Sequence, residues 1–263
     1  MEAEHIVEMR GISKSFGGVQ ALRRVDFELR RGEIMGVVGD NGAGKSTLMK
    51  VLAGAYLPDE GEIYVDGQRA DIKTPHDAFR LGIGMIYQDL ALFNNLDVAR
   101  NIYVGRDLAR GPFHAFLDKR RMYEKAEHLI RELKVDIKSP KMSVARMSGG
   151  QRQMVACARA MAFQSKILIM DEPTAALGVT EANKLLALIR HLRGMGVSIL
   201  LITQRIPDIL AIADRVFVLK GGRRQDILEV GQVTLDDVVT LIVKGKAPAA
   251  AEGVPEMEFR SFG

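Results

Sequence analysis

The sequence contains 263 residues, of which 47% are hydrophobic and 27% charged, and its formal net charge is +4. A chain of this length buries about three quarters of its unfolded surface, and this composition excludes intrinsic disorder and fibrous repeats as descriptions of the whole chain. The basic residues lie in short scattered pairs rather than in one stripe, so the charge favours a solvated surface over a nucleic-acid interface.

The first part of the chain, residues 6–67, is predicted to be rich in β-structure. Apolar and charged residues alternate over 25–29, as in a half-buried strand. The continuous apolar run Ile34–Val38 ends before a glycine and predicts a strand buried on both faces. Alternation that ends in an Asp-Gly turn at 63–67 indicates a further strand, and the run 83–87 another short one.

The middle of the chain is predicted to be helical, and strands and helices alternate after it. Apolar residues at helical spacing mark one amphipathic helix at 122–133 and a second at 151–162. The single cysteine, Cys157, lies on the second helix and is interpreted as a small structural hydrophobe; alone it cannot form an internal disulfide. The segments predicted to follow are a buried strand at 167–170, a helix at 181–193, and buried strands at 198–202 and 216–219.

This alternation of apolar strands with helices indicates a mainly parallel sheet covered on both faces. The most apolar runs, 167–170 and 197–203, are far shorter than the roughly 20 residues that a membrane-spanning helix requires. The acidic first residues resemble no signal peptide, so the chain is expected to stay where it is made and to reach a membrane only through a partner. The tail from Ala247 has linker composition and is expected to be disordered.

The strongest motif is Gly39–Thr47, which matches the phosphate-binding pattern G-x-x-x-x-G-K-[ST] between a predicted strand and a helical stretch. Its glycines let backbone N–H groups surround phosphate oxygens at a helix N-terminus. Lys45 would reach the β- and γ-phosphates and the Ser46 hydroxyl would ligate Mg²⁺; the alternative is a glycine-rich turn that binds nothing. The candidate nucleotide-binding residues of this loop are Gly39, Asn41, Gly42, Ala43, Gly44, Lys45, Ser46 and Thr47.

A second motif, at residues 167–173, is an apolar strand that delivers two carboxylates at its carboxyl end. Open α/β sheets bind their ligands at that edge. Because successive strand residues point to opposite faces, the two acids are expected to have different roles. Asp171 would hold Mg²⁺, and Glu172 would be the base that activates the attacking water.

The third motif lies at the start of the helix predicted at 151–162. Ser148 is a good cap for that helix, and the simplest interpretation ends there. A serine hydroxyl with the amides of Gly149 and Gly150 also makes an anion site, and Gln151 completes the motif. A phosphate that Lys45 already holds cannot easily be held again by the same chain, so this second site suggests that two chains close over one nucleotide.

Together, in this order, the phosphate loop, the Ser148–Gln151 motif and the strand end Asp-Glu-Pro-Thr at 171–174 resemble the ATP-binding cassette (ABC) ATPases. The resemblance covers about 6–246. It implies an α/β fold of the P-loop NTPase, ABC ATPase type, with a mainly parallel sheet core, an antiparallel β subdomain and a helical subdomain. On this resemblance residues 1–246 form one domain, with the helical subdomain inserted at about 74–163.

The same resemblance implies two further site residues. Phe16 lies where the family stacks an aromatic ring on adenine, although a position in the apolar core is the alternative. Gln88 lies where a glutamine contacts Mg²⁺ and the attacking water and links the core to the helical subdomain.

The sequence departs from the family pattern at two positions. Gly178 stands where the family usually has aspartate, and Gln204 stands where it usually has histidine. A glutamine amide can donate a hydrogen bond near the γ-phosphate but cannot carry charge, so this departure favours a slow hydrolysis of ATP. Gln204 is therefore a candidate catalytic residue with Glu172, Lys45 and Gln88, and it favours the alternative of a poorly hydrolysing ATP clamp or the weak half of a heterodimer.

Four stretches extend the resemblance to the simple-sugar importers of the ribose, xylose and fructose types: 39–42, 58–63, 87–92 and 175–179. This implies an ATP- and Mg²⁺-dependent ATPase subunit at the cytoplasmic face of a bacterial-type cell membrane. The implied partners are a second copy or a paralogous ATPase, transmembrane permease subunits and, indirectly, a periplasmic or extracellular sugar-binding protein. No nucleic-acid partner is expected, because the chain shows no long basic insertion and no second cassette.

Overall fold

The computed structural model of the chain describes residues 5–105, 108–110 and 116–246. The tail from Ala247, predicted to be disordered, lies outside these residues. Within the described part, no helix is long and apolar enough to cross a membrane. The strands are β1 (His5–Phe16), β2 (Val19–Arg30), β3 (Ile34–Val38), β4 (Glu60–Val65), β5 (Gln68–Ala70), β6 (Ile83–Ile86), β7 (Ala109–Arg110), β8 (Phe116–Leu117), β9 (Ile167–Asp171), β10 (Ser198–Ile202), β11 (Arg215–Lys220) and β12 (Arg223–Glu229). The helices are α1 (Lys45–Leu52), α2 (Pro75–Arg80), α3 (Val98–Tyr103), α4 (Lys119–Glu132), α5 (Gly149–Met161), α6 (Val179–Gly194), α7 (Ile206–Ile212) and α8 (Leu235–Lys244).

A six-stranded sheet in the order β12-β11-β3-β10-β9-β6 forms the centre of the fold. Its neighbours from β11 to β6 are all parallel, and β12 joins the edge antiparallel. Along β9, Leu168 and Met170 face one apolar core while Ile167 and Ile169 face another. Because side chains alternate between the faces of a strand, a run that is apolar throughout is buried on both sides. The predicted mainly parallel core is thus confirmed.

A second, antiparallel sheet in the order β2-β1-β4-β5 covers one face of the central sheet together with α1. Phe27 of β2 and Phe217 of β11 meet edge to face across this core, with ring centroids 5.0 Å apart. A buried ion cluster joins the same strands. Arg215 binds Glu33 through two hydrogen bonds of 2.9 Å and Glu28 through one of 3.0 Å. The predicted antiparallel subdomain is confirmed.

The other face of the central sheet is covered by helices, which enclose the larger apolar core. The region predicted as a helical insertion, 74–163, contains α2, α3, α4 and α5, but it also contains the strand β6. Since β6 pairs in parallel with β9, it belongs to the central sheet; α2 precedes it, and α3, α4 and α5 follow it from Val98. The division of the chain into subdomains remains a prediction.

Candidate functional site

The carboxyl ends of β3, β9 and β10 lie side by side because these strands are parallel neighbours. An open cleft of about 530 Å³ lies at this edge of the sheet. The structure brings most of the predicted residues together here; those that line the cleft are Asn41, Gly42, Ala43, Gly44, Lys45, Ser46, Thr47, Gln88, Asp171, Glu172 and Gln204. This is the position at which open α/β sheets bind ligands.

The loop between β3 and α1 requires glycine at its two ends. Gly39 has φ +150°, and a Cβ there would lie 2.0 Å from the Leu219 carbonyl oxygen. Gly44 has φ +102°, and a Cβ there would lie 2.6 Å from the Ala21 carbonyl oxygen. No described side chain caps α1, so the N–H groups of its first turn remain available to an anionic ligand.

Lys45 is nearly buried and lies inside this loop. Its Nζ donates hydrogen bonds to the carbonyl oxygens of Gly39 at 2.6 Å and Asp40 at 2.9 Å. Burial lowers the pKa of the Lys45 ammonium, and the nearby carboxylates of Glu172, Asp40 and Asp171 oppose that shift. The loop therefore holds a cation within reach of the position where phosphate oxygens would approach the helix N-terminus.

Ser46 and Asp171 offer oxygen ligands at the floor of the cleft. The Ser46 hydroxyl lies 3.3 Å from Asp171 Oδ1, to which it can donate a hydrogen bond, and the exposed Gln88 lies at the same cleft. Hydroxyl, carboxylate and amide oxygens are the kind of donors that Mg²⁺ prefers. Within the described ranges there is no cluster of three or more His, Cys, Asp or Glu that could hold a metal. The donor set thus fits Mg²⁺ bound with additional oxygens from phosphates and water, rather than a closed protein cage.

Glu172 follows the last residue of β9 and has φ +51°, a left-handed conformation that is uncommon for a residue with a side chain. Its N–H donates to the Ile202 carbonyl oxygen at 2.8 Å. Both Asp171 and Glu172 line the cleft. Both acids therefore reach one cleft, because the strand ends at Asp171 and the backbone turns at Glu172; the different roles expected of them remain a prediction.

The surroundings of the Glu172 carboxylate raise its pKa. Burial raises its pKa, and the charge of Asp171 adds to the shift, while a hydrogen bond from the Gln204 N–H at 3.3 Å and the positive charge of Lys45 oppose it. A carboxylate with a raised pKa takes a proton more readily near neutral pH. The raised pKa and the place of Glu172 in the cleft fit the predicted role of general base, which remains a prediction.

Gln204 connects two parts of the cleft. Its backbone N–H bonds to Glu172, as above, and its side-chain Nε2 donates to Asn41 Oδ1 at 2.9 Å. The glutamine amide thus reaches the phosphate loop across 163 residues of sequence. It supplies a hydrogen-bond donor there without a titratable group.

Phe16 lies outside the cleft lining, at the tip of the β1–β2 hairpin, where it pairs with the cleft residue Val19. Phe16 is 43% exposed, and its ring packs edge to face on Tyr56 with centroids 5.0 Å apart. The Lys14 ammonium lies 5.5 Å from the ring centroid. An exposure this large argues against the alternative of a core phenylalanine and leaves a face available for stacking.

The motif at the start of α5 is not part of this cleft. Ser148 Oγ accepts from the Gln151 N–H at 3.3 Å, and the Ser148 N–H donates to the Gln151 side chain at 3.2 Å, which is a capping box. A Cβ on Gly149 would lie 3.3 Å from Leu177, and one on Gly150 would lie 3.0 Å from Glu181. Within one chain, the phosphate loop and this motif are separate.

Sequence reasoning missed residues that the fold brings to the cleft from β2 and from the turn after β11. No motif marks them, since they come together only when the antiparallel sheet folds over the phosphate loop. The Gly222 N–H, for example, donates to the Ala43 carbonyl oxygen at 3.0 Å, and the Arg23 N–H to that of Gly222 at 2.8 Å. The missed residues are Val19, Gln20, Ala21, Arg23, Gly221 and Gly222.

The chain resembles known proteins in both sequence and structure. Residues 22–175 match the family model described as ABC transporter. The chain is 42% identical to the fructose import ATP-binding protein FrcA of Rhizobium meliloti, over 94% of this chain and 97% of that protein. It is also 42% identical to the xylose/arabinose import ATP-binding protein XylG of Sulfolobus acidocaldarius, over 92% and 96%.

Other relatives are longer. The ribose import ATP-binding protein RbsA of Clostridium tetani is 40% identical over 94% of this chain, which spans 48% of that protein. Among solved structures, the ADP conformation of an ATP-binding cassette of an ABC transporter aligns with a TM-score of 0.78 at 24% identity, over 92% of this chain and 96% of that one. A dimeric bacterial ABC transporter cassette aligns with a TM-score of 0.72 at 23% identity, over 85% and 98%. At these identities the structures show the fold alone.

Proposed function

Because the chain belongs to the ABC transporter family, as an ATP-binding cassette, we propose that it is the ATP-hydrolysing subunit that powers import of a sugar through a membrane ABC transporter. The observation that carries the proposal is its likeness, over nearly the full length of both chains, to proteins named for fructose and for xylose or arabinose import. The cleft supports it with a phosphate loop and two carboxylates at one edge of the sheet.

In this proposal ATP binds with its phosphates against the loop Gly39–Thr47 and the start of α1, and the exposed ring of Phe16 stacks on the adenine. Lys45, now bonded to its own loop, turns to the β- and γ-phosphates. Mg²⁺ would be held by Ser46, Gln88 and Asp171, and it would neutralise charge on the phosphates. The Lys45 charge and the loop amides then stabilise the charge that develops during transfer.

Hydrolysis needs a water in line with the bond between the γ-phosphorus and the bridging oxygen. Glu172 accepts a proton from that water as its oxygen attacks the γ-phosphorus, and the bond to the leaving ADP breaks, which yields ADP and phosphate. The raised pKa of Glu172 favours this proton-accepting role. The Gln204 N–H, 3.3 Å from the carboxylate, orients the carboxylate.

The capped start of α5 completes the proposed site from another chain. Because the Ser148–Gln151 motif lies outside the cleft of its own chain, a second copy or a paralogous ATPase would have to present it to the bound nucleotide. ATP would close the two cassettes head to tail, and hydrolysis would reopen them. The helical subdomain would pass this motion to permease subunits at the cytoplasmic face of the membrane, with a sugar-binding protein acting on the other side.

The test is steady-state ATPase activity of the purified chain, alone and with its permease, beside the Glu172→Gln variant. Turnover that Glu172→Gln abolishes supports the proposal, and Glu172→Gln with ATP should shift the chain towards a dimer in sedimentation. Tight ATP binding without turnover, in both preparations of the unmodified chain, would instead support the poorly hydrolysing clamp, an alternative for which the comparisons give no support. Uptake of ribose, xylose and fructose into vesicles that carry the reconstituted transporter would identify the sugar.

A further inference from the structure

The stretch from Tyr87 to Leu96 carries Gln88 into the cleft although it is neither helix nor strand. Backbone groups outside regular structure need partners from elsewhere in the fold. The carbonyl groups of Leu90 and Ala91 have theirs on one side chain: Arg159 donates to Leu90 O at 2.6 Å through one terminal nitrogen and to Ala91 O at 2.9 Å through the other.

The far end of the same stretch is fixed separately. Asn101 of α3 is fully buried; its Oδ1 accepts from the Phe93 N–H at 2.8 Å, and its Nδ2 donates to the carbonyl oxygens of Phe93 and Asp97 at 3.0 and 2.9 Å. Between this anchor and Gln88, the contact with Arg159 falls at Ala91, which has a left-handed φ of +47°. The helices α3 and α5, rather than the central sheet, therefore determine the path of the chain just after Gln88.

The chemistry of Arg159 suits positioning rather than ion pairing. Burial lowers the pKa of its guanidinium, and no carboxylate among the described residues offsets that effect. Its donors point instead to two consecutive backbone carbonyls. A planar guanidinium can bond both at once, whereas the single ammonium of lysine has no such fixed fork.

Arg159 also lies on the helix that Ser148 caps. The two residues are 11 positions apart on α5, which corresponds to roughly 16 Å along a helix axis. The helix α5 thus has Ser148 at its N-cap and, near its last turn, Arg159, which donates hydrogen bonds to the stretch that follows Gln88.

We propose that Arg159 is a positioning residue for ATP hydrolysis, because it holds Gln88 in the cleft in a fixed relation to the start of α5. When α5 moves, Arg159 carries the Gln88 side chain with it. The inference rests on the proposed function and adds to it one residue that no sequence motif marked. It acts through Gln88, so its loss should resemble the loss of Gln88.

The experiment compares Arg159→Gln and Arg159→Lys with Gln88→Ala and with the double variant Arg159→Gln/Gln88→Ala, all in the full chain. The matched control is Arg190→Ala. Arg190 of α6 also donates to a backbone carbonyl, that of Ala211 at 2.8 Å, but this contact joins α6 to α7 and lies away from the stretch after Gln88.

Two measurements are expected to move together, kcat and the dependence of turnover on Mg²⁺. Arg159→Gln should lower kcat about tenfold through misplacement of Gln88, and should raise the Mg²⁺ concentration needed for half-maximal turnover. Arg159→Lys should recover only part of this loss, because a lysine cannot bond both carbonyls. The double variant should be no slower than Gln88→Ala alone, since two residues that act as a unit are not additive. Binding of ATP without Mg²⁺, and all properties of Arg190→Ala, should stay within about twofold of the unmodified chain.

Amide hydrogen exchange over residues 89–93 gives a readout that does not depend on activity. Arg159→Gln should speed exchange there and leave the phosphate loop unchanged. If the unmodified chain hydrolyses no ATP, the proposed function fails, and exchange alone then decides whether Arg159 holds the stretch that follows Gln88. Unchanged exchange in Arg159→Gln would overturn it, and so would unchanged kcat and Mg²⁺ dependence in an active, folded variant, or losses that multiply in the double variant.

Discussion

Two glycine-rich segments of this chain lead into helices, and the two helix N-termini are built differently. At α1, Gly44 has φ +102° and no described side chain caps the helix. At α5, Ser148 and Gln151 satisfy each other's backbone N–H groups in a capping box. A helix N-terminus without a side-chain cap keeps its first backbone N–H groups free to donate to an anion. At a capped N-terminus, some of these N–H groups already donate to the capping side chain. Similar composition therefore produces one helix start with its backbone donors free and one in which a capping box uses part of them.

The glycines of the two segments also differ in backbone conformation and in what surrounds them. Gly39 and Gly44 are required by left-handed backbone and by close approach of backbone oxygens. Gly149 and Gly150 lie in helix, and what a Cβ would meet there is Leu177 and the Glu181 side chain. Before α1, glycine permits the left-handed backbone and the close approach of backbone oxygens in the loop. At α5, glycine lets the helix pack closely on Leu177 and on Glu181 of α6.

The largest effect expected from this difference is on ATP binding by the isolated chain. Lys45→Ala should weaken binding about 100-fold, because it removes a nearly buried cation from the place where phosphates approach. Ser148→Ala should change binding less than about twofold and instead lower stability by about 1 kcal/mol through the lost cap. Isothermal titration with a non-hydrolysable ATP analogue and thermal melts measure both. Comparable losses of affinity in the two variants would erase the distinction between the two helix starts.

The second effect is the pH dependence of turnover, which should come from the cleft because the α5 motif, Ser148–Gln151, contains no titratable side chain. Burial raises the pKa of Glu172, and its base form is the deprotonated one. Turnover should therefore rise as pH increases through that pKa, above the usual value for glutamate, and fall about tenfold per pH unit below it. Rates measured from pH 5 to pH 8 test this. A flat profile would remove Glu172 as the base.

The same shift has a consequence for stability without nucleotide. A raised pKa means that the protonated carboxyl is favoured in the folded state. The stabilising contribution of the protonated Glu172 carboxyl is complete at pH values below the pKa of glutamate in the unfolded chain. It is lost as the pH rises through the pKa of Glu172 in the folded chain. Glu172→Gln should thus raise the melting temperature at pH 8 by roughly 1–2 °C and change it less at pH 5. The opposite order would show that solvent screens the carboxylate in the folded state.

Much of the central sheet could be predicted from local pattern. The apolar runs of β3 and β10 have the predicted bounds, Ile34–Val38 and Ser198–Ile202, because a strand buried on both faces is marked by every residue in it. Helix ends were less accurate. The helix predicted at 151–162 begins at Gly149, since Ser148 is its cap and the glycines after it carry no hydrophobic signal. The capping box of α8, Thr234 with Asp237, is a signal that would have marked that unpredicted helix.

The site was predictable where a motif lies within a few residues and not where side chains meet across the fold. The loop 39–47 and the pair Asp171 and Glu172 are local. The bond from Gln204 to Asn41 spans 163 residues, and the bonds from Arg159 to Leu90 and Ala91 span 69 and 68. Such contacts depend on how groups far apart in the sequence are arranged in the folded chain. The local pattern of a single sequence does not indicate that arrangement.

A smaller effect is expected from Gln204→His, which changes only the cleft. The amide of Gln204 donates to Asn41 Oδ1 at 2.9 Å, and an imidazole can make a similar bond and also carry charge when protonated. Turnover should rise about two- to fivefold, and a new dependence on pH should appear near 6.5. Steady-state rates across pH 5.5–8 measure both, with Gln204→Ala as the control that loses the donor. A fall in turnover would show that glutamine is adapted to this cleft.

The smallest effect concerns a third helix start, that of α6. Gly178 is its N-cap with extended backbone, no described side chain caps the helix, and a Cβ at Gly178 would meet nothing within 4 Å. Gly178→Asp places an acceptor where the N–H of Glu181 can reach it, so this helix start would become capped as α5 is. Glycine is itself tolerated at N-caps, so the gain should be only a few tenths of a kcal/mol, or about 1 °C in melting temperature. Gly178→Ala, which adds a Cβ but no acceptor, should be less stable than the unmodified chain; if alanine stabilises as much as aspartate, the gain comes from a stiffer unfolded chain and not from a cap.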